Sequence, residues 1–229
     1  MKNVIITGAN GNLGIAAVKK FLQEGYYVIA VDEKSDHLNF ALENKNFRWE
    51  SANLSAEEDA RRFAVSIIAD RGNIDAALML VGGFAEGNIH ATTGSDIQKQ
   101  IALNFETAFF LATSLLKHME SQNFGRLVFI GARPAISPPQ GKELVAYALS
   151  KSLLFRLAEL INEEYKGQNI VASVVVPSTI DTGINRASMP DADPEKWVKP
   201  AQLADILEFI CSEKGEPIRE AIYKVYNNS

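Results

Sequence analysis

The chain has 229 residues, a formal net charge of −5, 47% hydrophobic and 22% charged residues, and a single cysteine, Cys211. These values fit one ordinary globular domain; they exclude a disordered or collagen-like chain, an internal disulfide framework and the basic face that nucleic-acid binding usually needs. No apolar run approaches the roughly 18 residues that span a bilayer and the N-terminus lacks a signal-peptide pattern, so the expectation is a soluble cytoplasmic protein with no membrane or nucleic-acid partner.

Val4-Ile5-Ile6, ahead of Thr7-Gly8, predicts a short buried strand. Helical spacing runs over 13–23 and Gly25 stops it. Residues 27–31 predict a second strand ending at Asp32, and 47–51 a third. Ser55 and Glu58 have the spacing of a capping box heading a helix to about residue 70. Residues 76–81 predict another buried strand, closed by Gly82-Gly83. A stripe of Ile101, Phe105, Ala108, Ala112, Leu115 and Met119 predicts one long helix over 96–119. A strand over 126–130, a helix over 146–165, a strand over 170–176, a helix over 201–211 and a strand over 222–226 complete the chain. Buried strands alternating with helices predict a single-domain α/β fold: a doubly wound parallel sheet of Rossmann type with helices on both faces. Residues 177–200 form the one long irregular stretch, and loops of that length are more often functional than idle.

Chemistry is first visible in Thr7-Gly8-Ala9-Asn10-Gly11-Asn12-Leu13-Gly14, between the first strand and the first helix. Glycines at 8, 11 and 14 permit a sharp turn and close backbone approach. The helix start offers free N–H groups and partial positive charge to a pyrophosphate. A plain glycine-capped turn would read alike, but the strand before it and the helix after it are the context a dinucleotide site requires. Asp32 stands where an acidic residue would bond the adenosine ribose hydroxyls. A 2′-phosphate there would be repelled by about 4 kcal/mol per pair of unit charges at ~4 Å and an effective dielectric of ~20. NAD(H) is therefore expected over NADP(H), with Lys34 close enough that NADP(H) is not excluded. Tyr147 and Lys151 lie one helical turn apart on one face. An ammonium beside a phenol favours the phenolate and lowers its pKa, which suits proton exchange near neutral pH. Alone the pair fits any surface helix; with the glycine turn it points to dinucleotide chemistry.

On these residues the chain resembles the short-chain dehydrogenase/reductase family over essentially its whole length. The matching pieces are Thr7-Gly8-x-x-Gly11-x-x-Gly14, Asp32, Asn53-Leu54, Asn104, Tyr147-x-x-x-Lys151 and the stretch from Pro177 to Thr182. The resemblance implies hydride transfer between a nicotinamide dinucleotide and a small-molecule substrate, with Tyr147 as proton donor. Lys151 would bond the nicotinamide ribose, and Asn104 would help it hold a proton-relay water. Gly8, Asn10, Gly11, Asn12, Leu13 and Gly14 would surround the pyrophosphate, and Asn53 and Leu54 would flank the adenine. Gly82 and Gly83 would lie against the cofactor, with Pro177, Ile180 and Thr182 near its carboxamide. No metal is implied.

Three departures matter. Asn12 replaces a usual glycine and is expected to cap the first helix. Leu80-Val81-Gly82-Gly83-Phe84 follows the fourth strand, where the family has Asn-Asn-Ala-Gly. Ala132 falls where a serine usually helps polarise the substrate carbonyl; loss of one such donor costs roughly 2.7–4 kcal/mol where measured. A quinonoid ring or an iminium would feel that loss less than a ketone. Gly131-Ala132-Arg133 and the run from Ile180 through Met189 to Trp197 are similar to the dihydropteridine reductase branch, which implies NADH and a quinonoid dihydropterin. Ser137 is a conceivable replacement donor, Arg133 a candidate for orienting substrate, and Met189 and Trp197 candidate walls of a lid over 178–200. His37, His90 and His118 are scattered and read as surface or structural residues, with His90 in a loop that could reach the pocket; Trp49 reads as core. Leu103, Phe110 and Leu153-Leu154-Phe155 make the helices over 96–119 and 146–165 apolar on several sides, which predicts one face on the sheet and another against a partner subunit; the resemblance implies a homodimer or homotetramer through these helices. The alternatives are a non-catalytic NAD-binding regulator and a sugar-nucleotide epimerase. The latter usually needs a C-terminal substrate domain for which the chain after the final strand has no room.

Overall fold

A computed structural model describes residues 1–219 and 222–228. Seven strands form one sheet in the order β3-β2-β1-β4-β5-β6-β7, and all neighbours are parallel. They are β1 Asn3–Thr7, β2 Tyr27–Val31, β3 Phe47–Glu50, β4 Ala76–Met79, β5 Gly125–Ile130, β6 Ile170–Pro177 and β7 Ile222–Val225. Strand side chains alternate in direction, so Val4 and Ile6 enter one core and Ile5 the other. Both faces are therefore covered, which is why these strands read as continuous apolar runs. Each fully buried aliphatic side chain contributes about 1.5–3 kcal/mol.

On one face lie α1 (Asn12–Gln23) and α8 (Pro200–Cys211), packed against each other. The other carries α2 (Glu57–Arg71), α4 (Thr107–Ser121) and α6 (Val145–Glu164). The helix expected over 96–119 is present and runs without a gap from Gly94 to Ser121, as α3 (Gly94–Ile101), a π-helical turn at Ala102–Glu106, and α4. The π turn leaves little trace in the periodicity because it shifts the apolar stripe by only one residue, and such turns concentrate at functional sites.

Other expectations are corrected locally. The Ser55–Glu58 capping box does not form. Asn53 Oδ1 accepts from the Ser55 N–H at 3.2 Å and Asn53 O from Ala56 N–H at 3.2 Å, so this turn delays the helix to Glu57. A capping box does form at Thr93 and Asp96, at the head of α3. The stretch 177–200 is not irregular throughout. It holds α7 (Gly183–Ser188), a 3-10 turn (Pro194–Lys196) and a bridge between Ile180 and Val198. One-turn α5 (Pro138–Gly141) precedes α6. Trp49 is half-buried and packs against the core, and Cys211 is buried, its thiol pushed up to about 12 by burial. No helix among the described residues is long and apolar enough to cross a membrane, and they hold no metal-ligating cluster.

Candidate active site

Chain order reverses between β1 and β4, which opens a crevice beyond the carboxyl ends of the strands. It encloses about 320 Å³ and brings together Gly8, Gly11, Asp32, Asn53, Leu54 and Gly82, with Glu33 and Leu103 beside them. Gly8 has φ of +63°, a conformation that favours glycine. A Cβ on Gly14 would lie 2.2 Å from Gly8 O and 2.6 Å from Ala9 Cα, so Gly14 underpins the turn from below rather than lining the crevice. Gly11 occupies the N-cap of α1 without a side-chain cap, which corrects the capping role expected of Asn12. Leu13, in the first turn of α1, packs half-buried against the core.

The Asn10 side chain points to the loop after β2. Its Nδ2 donates to Asp36 Oδ1 at 2.7 Å, holding that carboxyl below the usual range, and its Oδ1 accepts from His37 N–H at 2.9 Å. The Asn10 backbone N–H donates to Asp32 Oδ2 at 3.0 Å, so one carboxylate oxygen of Asp32 fastens the glycine turn. The crevice suits a dinucleotide: a backbone turn with no side chains in the way, a helix start behind it, and carboxylates at the far end.

At the other end, Thr7 Oγ1 accepts from the Leu80 N–H at 3.0 Å and the Val81 N–H at 3.4 Å. That hydroxyl replaces the sheet ladder, which ends β4 two residues earlier than the sequence predicts and turns the chain toward Gly82-Gly83. A Cβ on Gly82 would meet Asn104 Oδ1 at 2.7 Å and Lys151 Nζ at 2.9 Å. The π turn carries Asn104, which is 1% exposed, and grips Gly83 on both sides. Asn104 Nδ2 donates to Gly83 O at 3.0 Å, and Gly83 N–H donates to Asn104 Oδ1 at 2.9 Å.

Tyr147 and Lys151 stand in the first two turns of α6. Lys151, 5% exposed, donates through Nζ to Ile130 O at 2.9 Å. Burial pushes the Lys151 ammonium down to about 8 and the Tyr147 phenol up to about 12. The expected lowering of the phenol by the ammonium is thus not found, because the ammonium is engaged by a carbonyl and burial acts on both groups. The Phe84 ring meets Tyr147 edge-on, with centroids 5.3 Å apart, and is itself 61% exposed. Ala132 is buried and offers no donor; Arg133 stacks over Tyr226 at 4.5 Å. Ser137 precedes α5 and is half-buried, and His90 lies in an exposed turn.

Pro177 closes β6 beside Val225, and Ile180 sits in the bridge to Val198. The Thr182 hydroxyl caps α7 by accepting from Asn185 N–H at 3.2 Å. Asp181 and Arg186 form a two-pronged pair at 2.6 and 2.9 Å. Trp197 is 4% exposed and packed, whereas Met189 is exposed. Sequence reasoning passed over Thr7's hydroxyl, Glu33, the Phe84 ring, Gln100 and Ser150. The last two had a usable signal: polar residues one turn from Asn104 and beside Lys151, on otherwise apolar faces.

Among known proteins, the short chain dehydrogenase family model matches residues 2–193. The short chain dehydrogenase adrF of Penicillium roqueforti is 26% identical over 250 residues, covering 98% of this chain and 95% of that protein. Two solved structures share the fold at 20% identity. A 4-hydroxyisoleucine dehydrogenase complexed with NADH has a TM-score of 0.89, covering 99% of this chain and 98% of that one. ElxO with NADP bound has a TM-score of 0.87, covering 98% and 96%. The fold thus occurs with either dinucleotide. With a family match over most of its length and a seven-strand parallel sheet of Rossmann type, this chain belongs to the short-chain dehydrogenase family of oxidoreductases.

Proposed function

We propose that the protein transfers hydride between NAD(H) and a small electrophilic acceptor, with Tyr147 as proton donor. The observation that carries this reading is the convergence at Gly82, where Asn104 Oδ1 and Lys151 Nζ flank one end of the crevice that holds Asp32 at the other. A bound nicotinamide supplies the hydride. Gly8, Gly11 and the start of α1 hold the pyrophosphate, and Asn53 and Leu54 the adenine. Pro177, Ile180 and Thr182 hold the carboxamide end. Lys151 binds the adjoining ribose and, on release from the Ile130 carbonyl, brings positive charge toward the phenol. Tyr147 then delivers its proton to the reduced acceptor.

Asp32 and Glu33 both border the crevice, and two carboxylates there favour NAD(H) over NADP(H). Acceptor choice follows from two residues. Ala132 cannot polarise a carbonyl, and the exposed Phe84 ring beside Tyr147 suits a flat conjugated ring. A quinonoid pterin, quinone or imine fits both, in keeping with a dihydropteridine reductase-like branch. Residues 178–200 serve as a lid on this single domain, with exposed Ile184 and Met189 turned to account when substrate is present. Leu149 and Leu160 are exposed on α6, and Phe109 and Phe110 half-buried on α4, which supports a homodimer or homotetramer through these helices.

NADH oxidation against quinonoid dihydropterin, quinones, imines and simple ketones tests the reading. Turnover with the first three and little with ketones is expected. NADH binding without turnover of any of them would favour the second reading, a dinucleotide-binding regulator, which the missing donor at Ala132 also fits.

A further inference from the structure

Gln100 is a buried polar side chain, 8% exposed, on the inner face of α3. Its Oε1 accepts from Asn104 Nδ2 at 2.8 Å, and its Nε2 makes no hydrogen bond with the described residues. Burying an amide in an apolar layer costs free energy that leucine or methionine would avoid, so the acceptor is the part of this side chain that the fold uses. The same Asn104 Nδ2 reaches Ser150 Oγ at 3.1 Å, and Ser150 Oγ donates to Tyr147 O at 2.8 Å. Ser150 is fully buried.

We infer that Gln100 is a positioning residue for the Tyr147–Lys151–Asn104 centre: as an acceptor, it adds to the Gly83 backbone, whose C=O and N–H take the two edges of the Asn104 amide, in holding that amide in one orientation. With acceptors at Gln100, Ser150 and Gly83 O gathered around Nδ2, the other edge of the amide must present oxygen. That oxygen receives the Gly83 N–H and has a second lone pair on the side where Lys151 Nζ lies. A flipped amide would set Nδ2 against the Gly83 N–H and the ammonium, donor to donor. Gln100 sits one turn before the π segment, so it orients Asn104 without touching cofactor or substrate.

This inference rests on the catalytic reading above, and its test separates the two. Gln100→Met removes the acceptor at similar volume; Gln100→Glu keeps an acceptor. Amide hydrogen exchange at Gly83, read by mass spectrometry on the peptide spanning residues 80–86, needs no activity. Exchange at Gly83 should rise about tenfold in Gln100→Met and stay near wild type in Gln100→Glu. With an acceptor that the wild type reduces, Gln100→Met should lose about tenfold in kcat with less than twofold change in KM for NADH, and Gln100→Glu should regain most of it. Unchanged exchange and unchanged kcat in Gln100→Met would overturn the inference, as would equal losses in both variants. A wild type that binds NADH without turnover would sink the catalytic reading alone, leaving the exchange measurement to decide the amide's orientation.

Discussion

The Lys151 ammonium donates to the Ile130 carbonyl at the end of β5, 2.9 Å away, inside a site where burial holds its pKa near 8 against 10.5 for a free lysine. Between those values the unfolded chain binds one more proton than the folded one, so stability rises with pH across that window. Below it, a buried charge is carried at a cost, as functional sites often do. The shift corresponds to roughly 3 kcal/mol, offset by about 1 kcal/mol for the hydrogen bond to Ile130. Lys151→Met should therefore be more stable than wild type by about 2 kcal/mol at pH 7. The gain should fade between pH 8 and 10.5. Tyr147 is present in both proteins, so its own titration cancels. Urea unfolding at several pH values measures this, and a variant no more stable at pH 7 would refute it.

Two glycines of the first turn should respond differently to alanine. At Gly14 the added methyl meets backbone at 2.2 Å, whereas at Gly11 the nearest atom is Gly8 O at 3.3 Å. Gly14→Ala should cost about 2–4 kcal/mol of folding stability and Gly11→Ala less than about 1. Gly11 lines the crevice, so its variant should still weaken NADH binding. Thermal melts paired with nicotinamide fluorescence separate the two effects; equal destabilisation would show that the turn yields more than its packing indicates.

Asp32 is the residue through which dinucleotide choice should change. Its Oδ2 is occupied by the Asn10 N–H, and the carboxylate borders the crevice with Glu33. Replacing Asp32 with serine keeps an acceptor for the turn and removes one charge. The ratio of kcat/KM for NADPH over NADH should rise by about 100-fold, somewhat less than the full repulsion of one charge pair. If the ratio stays put, the acidic end of the crevice does not set cofactor preference.

Tyr147→Phe should lower kcat by about 10²–10⁴-fold, the usual worth of a positioned proton donor. NADH affinity should hardly move, since the hydroxyl is not among the residues lining the crevice. The phenol is pushed up to about 12 by burial, so the donor stays protonated over the working pH range. Stopped-flow single turnovers distinguish lost chemistry from lost binding, and full activity without the hydroxyl would end its assignment as donor.

Ala132→Ser tests the acceptor argument from the opposite side. The position is buried just before the 3-10 turn Arg133–Ala135. A hydroxyl there should raise kcat/KM toward simple ketones by up to about 10²-fold, with a smaller gain for quinonoid acceptors. Parallel gains for every acceptor would show that Ala132 does not select among them.

The strand and helix pattern was legible because parallel strands covered on both faces are written as runs such as Val4-Ile5-Ile6 and Val174-Val175-Val176. Gly8, Gly11, Asp32, Asn53, Leu54 and Gly82 could be named from spacing and resemblance, and they line one crevice. Hydrogen bonds between residues distant in the chain were not legible, even where the residue itself could be named, as Asn104 was. Thr7 ends β4 through Leu80 and Val81, Ser150 reaches Asn104 across 46 residues, and Asn104 grips Gly83 across 21.

Local order in the sequence by itself determined the strands and the long helices, though not short α5 and α7, and that a glycine turn joins the first strand to the first helix, because backbone sterics and apolar periodicity act over a few residues. The tertiary structure alone decided that the helix over 96–119 carries a π turn at Asn104, that Asn12 caps nothing, and that Lys151 faces the Ile130 carbonyl while burial raises rather than lowers the pKa of the Tyr147 phenol. Those outcomes depend on desolvation and on partners brought from other strands, and neither exists until the sheet has closed.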